Sequence, residues 1–227
     1  MSKAGSSVAI VDYGLGNLFS VRNACERVGL SPFVTKDRRE VEKADAVFLP
    51  GVGAFGDAMA ELRRLDLVAA LRDVAARGTP FVGICLGQQL LMSESHEFGT
   101  HKGLGLIEGP VVRFDNPREG EKVLKIPQVG WNQIAPRDGD AASWIGSPLE
   151  GIEPGCYQYF VHSFHVQPVD PAMALSLTSY GHIEFASSLQ KGNVVSFQFH
   201  PERSGPQGLK IYENLARWIA RHASKEI

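Results

Sequence analysis

The chain holds 227 residues, 44% hydrophobic and 21% charged, the balance of a globular protein with a sizeable core rather than of a disordered one. A formal net charge of −2 and a pI near 6.4 exclude the broad positive field that nucleic-acid binding draws on. Three well-separated cysteines without a CxxC pair argue against a disulfide framework or structural zinc, the first apolar run is too short for a signal peptide, and no stretch is long enough to cross a membrane, so one cytoplasmic domain over 1–227 is expected.

In chain order, VAIVDYG reads as a strand leaving into a glycine turn. NLFSVRNACERVG then sets Leu18, Val21, Ala24, Cys25 and Val28 at helical spacing before Gly29, which places Cys25 in the core. SPFVTK and ADAVFLPG read as further strands. DAMAELRRLDLVAALRDVAARG reads as one long helix ending at Gly78, with Arg72 and Arg77 suited to its dipole. TPFVGIC is the next strand and runs straight into LGQQLLMSES, a helical pattern, so Cys85 falls at a sharp strand-to-helix turn. Such alternation is the pattern of βαβ units on a mainly parallel sheet. The second half changes character: VVRF, KIPQVGWNQI, CYQYFVHSFHV, MALSLTSYG, IEFASSLQKG and NVVSFQFHPE read as strands joined by Gly, Pro and Asp turns, extending the sheet with antiparallel hairpins. QGLKIYENLARWIARHA closes the chain with an apolar stripe of Leu209, Ile211, Leu215, Trp218 and Ile219.

Gly83-Ile84-Cys85-Leu86-Gly87 has the form of a nucleophile elbow with cysteine at its centre. A nucleophile on such a turn brings backbone segments close together, and a side chain at either flanking position would crowd them. The following helix start favours a thiolate, and its free amides can bind an oxyanion. The pentapeptide by itself also fits a buried structural cysteine. A second element, Phe199-His200-Pro201-Glu202-Arg203-Ser204, follows an apolar strand, and strand alternation would set His200 and Glu202 on one face. An imidazole beside Cys85 can move its proton, and a carboxylate behind the imidazole fixes the tautomer.

GICLGQQLL with FHPERS resembles the class I (triad) glutamine amidotransferases. VDYGLGNLFSV, LPGVGAFGDAM, PQVGWN, YFVHSFHV and QFHPERSGPQGLKIYENL narrow the resemblance to the HisH glutaminase subunits of imidazole glycerol phosphate synthase. The resemblance implies an α/β, flavodoxin-like amidotransferase fold: a central, mostly parallel sheet with helices on both faces and an antiparallel extension. It implies hydrolysis of L-glutamine through a thioester on Cys85, with His200 and Glu202 completing the triad and no metal or cofactor. Ammonia would pass to a HisF-like (β/α)8 cyclase partner in a heterodimer that makes imidazole glycerol phosphate and AICAR for histidine synthesis. The same resemblance assigns the oxyanion contacts to Leu86 and to Val52 or Gly53, whose amide can rotate into place. It assigns substrate contacts to Gln89, Glu97, Ser163 and Phe164, and the partner interface to Trp131, Tyr159 and Arg203. Arg203 stands where the family usually has lysine. ERSGPQGLKIYENL also resembles a paralogous branch that supplies ammonia to a sugar amidotransferase of surface-polysaccharide synthesis, and a stand-alone cysteine hydrolase would use the same triad.

Three patterns compete for other functions. Gly51-Val52-Gly53-Ala54-Phe55-Gly56 satisfies the dinucleotide fingerprint, but follows a later strand than that fingerprint normally does. Asp12-Tyr13-Gly14-Leu15-Gly16 lacks the Lys-Ser/Thr end of a phosphate loop. His162 and His165 form HxxH on a strand, whose alternation would leave one in the core or an interface and the other exposed rather than both on a metal.

Overall fold

The computed structural model describes residues 5–223. Its first half runs β1 (Ser7–Val11), α1 (Leu18–Arg27), β2 (Ser31–Thr35), α2 (Arg38–Lys43), β3 (Ala46–Gly51), α3 (Phe55–Arg64), α4 (Leu67–Ala76), β4 (Phe81–Cys85) and α5 (Leu86–Leu90). The short strands β5 (Met92–Ser95), β6 (His101–Lys102), β7 (Ile107–Arg113), β8 (Arg118–Glu119), β9 (Lys122–Val123), β10 (Gln128–Gln133) and β11 (Ala135–Pro136) follow. The chain ends with β12 (Tyr157–His162), β13 (Phe164–Val166), β14 (Ala174–Tyr180), β15 (Ile183–Lys191), β16 (Val194–Phe197) and α6 (Gly205–Ala223).

One sheet has the order β11-β14-β15-β16-β4-β3-β1-β2. Its β16, β4, β3, β1 and β2 are parallel, and β15, β14 and β11 extend it antiparallel, as expected. The central parallel strands β1, β3 and β4 are mainly apolar because alternate residues serve two separate cores, whereas the edge strand β2 is mostly exposed or half-buried. Val8, Ile10, Phe48, Val82 and Ile84 pack with α1 and α6, whereas Ala9, Val11, Val47, Leu49 and Phe81 pack with α2, α3 and α4. The stripe on α6 buries Ile211, Leu215, Trp218 and Ile219, with Leu209 partly covered.

Three expectations change. The long helix is two, α3 and α4, broken where Asp66 adopts a φ of 53°. The buried set Ala58, Met59 and Leu62 is out of phase with Leu67, Leu71 and Val74, so one straight helix could not turn both inward. Arg72 lies outside the last turn of α4 and bonds to the carbonyls of Leu104 and Gly103. Second, the helix after Cys85 stops at Leu90, because the carbonyls of Leu90, Leu91 and Met92 accept from residues 104–107 and Met92 enters a strand. Third, CYQYFVHSFHV is cut at Ser163: β12 pairs with β10, and β13 joins a separate four-stranded sheet, β13-β7-β5-β6.

The elbow needs its glycines. Cys85 has a φ of 55° and a ψ of −108°, outside the ordinary regions for an L residue. A Cβ on Gly87 would fall 1.7 Å from the Leu49 carbonyl oxygen, and one on Gly83 would fall 2.9 Å from that of Gly87. Gly192, in the β15–β16 turn, has a φ of 57° and open space around it. Urea unfolding of Gly87→Ala should therefore show a loss above about 2 kcal/mol, since strand β3 must move. Gly192→Ala, which meets conformational strain alone, should lose about 1 kcal/mol.

Candidate active site

Three chain segments meet at the carboxyl edge of the parallel sheet, where ligands of such sheets usually bind. Gly51, the last residue of β3, lies in register with Cys85, the last residue of β4. Phe197, the last of β16, lies in register with Ile84, so the chain passes beside the elbow just before His200. His200 and Glu202 do not share a strand face. β16 has already ended, and residues Pro201–Arg203 form a single 3-10 turn that carries the carboxylate back to the imidazole. Nδ1 of His200 donates to Oε1 of Glu202 at 2.7 Å, and the two side chains are 5% and 1% exposed. The turn is anchored: His200 N donates to the Tyr159 carbonyl at 2.9 Å, and Ser204 Oγ donates to the His200 carbonyl at 2.7 Å while accepting from Tyr159 N at 3.0 Å.

Cys85 opens onto a cleft of about 250 Å³ lined by Val52, Gly53, Leu86, Gln89, Glu97, Ser163 and Phe164, with Pro127, Val161 and His162 completing the wall. Seven residues expected from the sequence thus surround the thiol. A larger groove of about 460 Å³ between α1 and α6 touches Glu202 but not Cys85, so the smaller cleft is the one that reaches the thiol. Trp131, Tyr159 and Arg203 lie elsewhere and form a stack. Trp131 and Tyr159 face each other across β10 and β12 with ring centroids 6.1 Å apart, and the Arg203 guanidinium sits 4.5 Å over the Tyr159 ring.

The sequence model of one family, glutamine amidotransferase class-I, matches residues 9–217. Among curated relatives, the imidazole glycerol phosphate synthase subunit HisH of Rhodopirellula baltica is 44% identical over 92% of this chain and 96% of its own length. The HisH subunits of Aquifex aeolicus and Moorella thermoacetica are 45% and 46% identical, covering 92% and 95% of this chain and 95% and 96% of theirs. The chain belongs to the class-I glutamine amidotransferases, in the HisH family. Solved structures share the fold. PurLQS from Thermotoga maritima aligns with a TM-score of 0.70 at 20% identity over 94% of this chain and 99% of that one. The glutaminase domain of Trypanosoma brucei CTPS aligns with a TM-score of 0.63 at 14% identity over 95% and 94%.

This amidotransferase surrounds its thiol with groups the sequence did not single out. Gln198 Nε2 donates to Cys85 Sγ at 3.8 Å, while Gln198 Oε1 accepts from Gln89 Nε2 at 3.2 Å. Gln89 Nε2 also reaches the Phe164 carbonyl at 3.0 Å, so Gln89 is braced from two sides. Tyr13 Oη donates to the Pro50 carbonyl at 2.8 Å, and a Cβ on Gly51 would fall 1.9 Å from that phenol. Burial and nearby Cys85 push the phenol well above its ordinary value, which keeps it a donor. The available signals were the alternation Gln198–His200 in FQFH and the tyrosine inside DYG. His162 and His165 are both buried, contrary to the alternation argument, because the strand breaks between them and both rings pack on Phe114.

Two imidazoles near the thiol are pushed in opposite directions. Burial alone would lower His200, but the neighbouring Cys85 and the bond to Glu202 outweigh it and raise His200 from 6.5 to about 10. His200 Nε2 has no hydrogen-bond partner among the described residues, and Cys85 lies near enough to favour the imidazolium. His162 is lowered to about 3, first by burial, and its Nδ1 lies 2.8 Å from the Phe164 carbonyl. That bond makes Nδ1 the protonated nitrogen of a neutral ring. Cys85→Ala removes the neighbour that raises His200 most and leaves the burial penalty, so the His200 pKa must fall. Imidazole NMR titrations should show that fall as about one pH unit or more. His162 should not titrate between about pH 5 and 9 in either protein.

Proposed function

We propose that this chain hydrolyses L-glutamine to glutamate and ammonia and delivers the ammonia to a HisF-like barrel subunit that forms imidazole glycerol phosphate and AICAR. The observation that carries the reading is that Cys85 lines the cleft with the buried His200–Glu202 pair near it. The Cys85 thiolate attacks the side-chain amide carbon, and the amides of Leu86 and of Val52 or Gly53 receive the developing oxyanion. Imidazolium at His200 protonates the departing ammonia, leaving a γ-glutamyl thioester. The neutral ring then takes a proton from water, and the resulting attack releases glutamate and the thiolate. Glu202 holds the ring in the tautomer and orientation these transfers require.

Gln89 and Glu97 would receive the α-ammonium and α-carboxylate ends of the substrate between them, with the Ser163 and Phe164 backbone adding contacts. The Ser163 and Phe164 carbonyls are already engaged, by Phe114 N and by Gln89, which leaves their other backbone surface to the ligand. Exposed Trp131, stacked through Tyr159 on Arg203, fits the surface on which the barrel docks. Tyr159 also accepts from His200 N, so docking would bear on the turn that holds the triad. The HisH subunits of R. baltica, A. aeolicus and M. thermoacetica, similar along nearly their whole length, support the choice of reaction and partner.

Glutamate release by the purified chain should be weak alone and strong with the cognate barrel. Cys85→Ala should abolish glutamine-dependent synthesis by the complex yet leave synthesis from added ammonium intact, because only ammonia production needs the thiol. Loss of both activities counts against the reading, and a sugar-modifying partner that co-purifies instead of a cyclase replaces its acceptor. Trp131→Ala should raise the Kd of the complex by about tenfold or more, the size expected for an aromatic anchor, measured by titration calorimetry.

A further inference from the structure

The loop that follows β5 is tied to the start of α3. Phe55 N–H, the first amide of that helix, donates to Glu97 Oε2 at 2.6 Å, a short charge-assisted bond. Ala54, at the N-cap, supplies no side-chain acceptor. A distant carboxylate therefore takes the N1 amide of a helix start that lacks a local Ser, Thr, Asp or Asn to hold its N2 or N3 amide. Glu97 is itself held, its amide donating to the Ser95 hydroxyl at 3.2 Å. The same loop lays His101 against the helix start, where a Cβ on Gly56 would fall 2.9 Å from the imidazole. Val52 and Gly53 lie between the end of β3 and this helix start, and share the Cys85 cleft with Glu97. Since the end of β3 is pinned by its register with β4, the anchoring of the first turn of α3 decides where the amides of Val52 and Gly53 rest. Among the described residues Glu97 Oε1 has no partner, so it is open to a cation in the cleft.

We propose that Glu97 is a positioning residue for the oxyanion strand as well as a substrate contact. An ammonium on Oε1 orders the carboxylate, whose Oε2 clamps Phe55 N–H and with it the amides of Val52 and Gly53. The inference rests on the glutaminase reading above. A contact felt equally by substrate and transition state alters KM alone, whereas a clamp on the oxyanion site also alters kcat.

The test compares glutamate release by the complex carrying wild-type chain, Glu97→Gln, Glu97→Ala and the double variant Glu97→Ala with Ala54→Asp. Glutamine at 97 keeps an acceptor for Phe55 N–H but loses the charge, so KM should rise while kcat stays within about threefold. Alanine should raise KM likewise and also lower kcat by about tenfold or more, because the clamp is gone. Aspartate at 54 holds the same first turn through the amide of Gly56 or Asp57, so the double variant should regain kcat severalfold while KM stays high. Alkylation of Cys85 by iodoacetamide and circular dichroism confirm that each variant is folded. Equal kcat in the Gln and Ala variants overturns the proposal, as does a double variant with no gain in kcat. A wild-type complex that turns over no glutamine overturns the glutaminase reading and this inference together.

Discussion

The site is organised by a contact that leaves no room for a side chain. Gly87, in the first turn of α5, presses against the carbonyl of Leu49 on the neighbouring strand, at a separation where a Cβ would overlap the oxygen. That approach lets the chain reverse from β4 into α5 within one residue, and Cys85 takes up the turn in a conformation L residues rarely adopt. Such strain persists only when the surroundings over-determine it. Here β4 is paired on both sides, with β3 and β16, and its residues are buried throughout. Three segments then meet at the elbow: the end of β3 brings Val52 and Gly53, the helix start brings the Leu86 amide, and the exit from β16 brings His200.

Burial sets the electrostatic terms. Glu202 is almost wholly withdrawn from solvent, where an unpaired carboxylate would be very costly, and the imidazole of His200 is its partner. The imidazole is held between two groups that carry negative charge when ionised, which is why burial fails to make it neutral. His162, which lines the same cleft, is governed by burial, with His165 and His200 pushing the same way, and takes the opposite state. Two rings of the same kind are thus assigned different work by what surrounds them. The 3-10 turn that carries Glu202 also carries Arg203, which lies on the surface over Tyr159. The buried His200–Glu202 pair and the exposed stack consequently share one turn, bonded to β12 through Tyr159 and Ser204.

The sequence by itself determined the features whose causes are local. Glycines flanking Cys85, an apolar strand before it and a helical pattern after it require an elbow wherever the segment lies, and unbroken apolar runs require strands buried on both faces. Cys85, His200 and Glu202 were legible because their motifs are compact, as was the helix stripe of α6. Only the tertiary structure decided how polar side chains far apart in sequence would be used. Gln198 reaching Cys85, Tyr13 bonding to Pro50 and Glu97 capping α3 each depend on which segments the sheet brings together, and no periodicity records such a meeting. The break at Asp66 and the early end of α5 have the same origin, since long-range packing and carbonyls claimed by residues 104–107 outweighed a helical pattern that read continuously. Even the pairing of His200 with Glu202, anticipated as alternation on a strand, is made by a turn that forms because β16 ends at Phe197 and Tyr159 is there to bind the backbone.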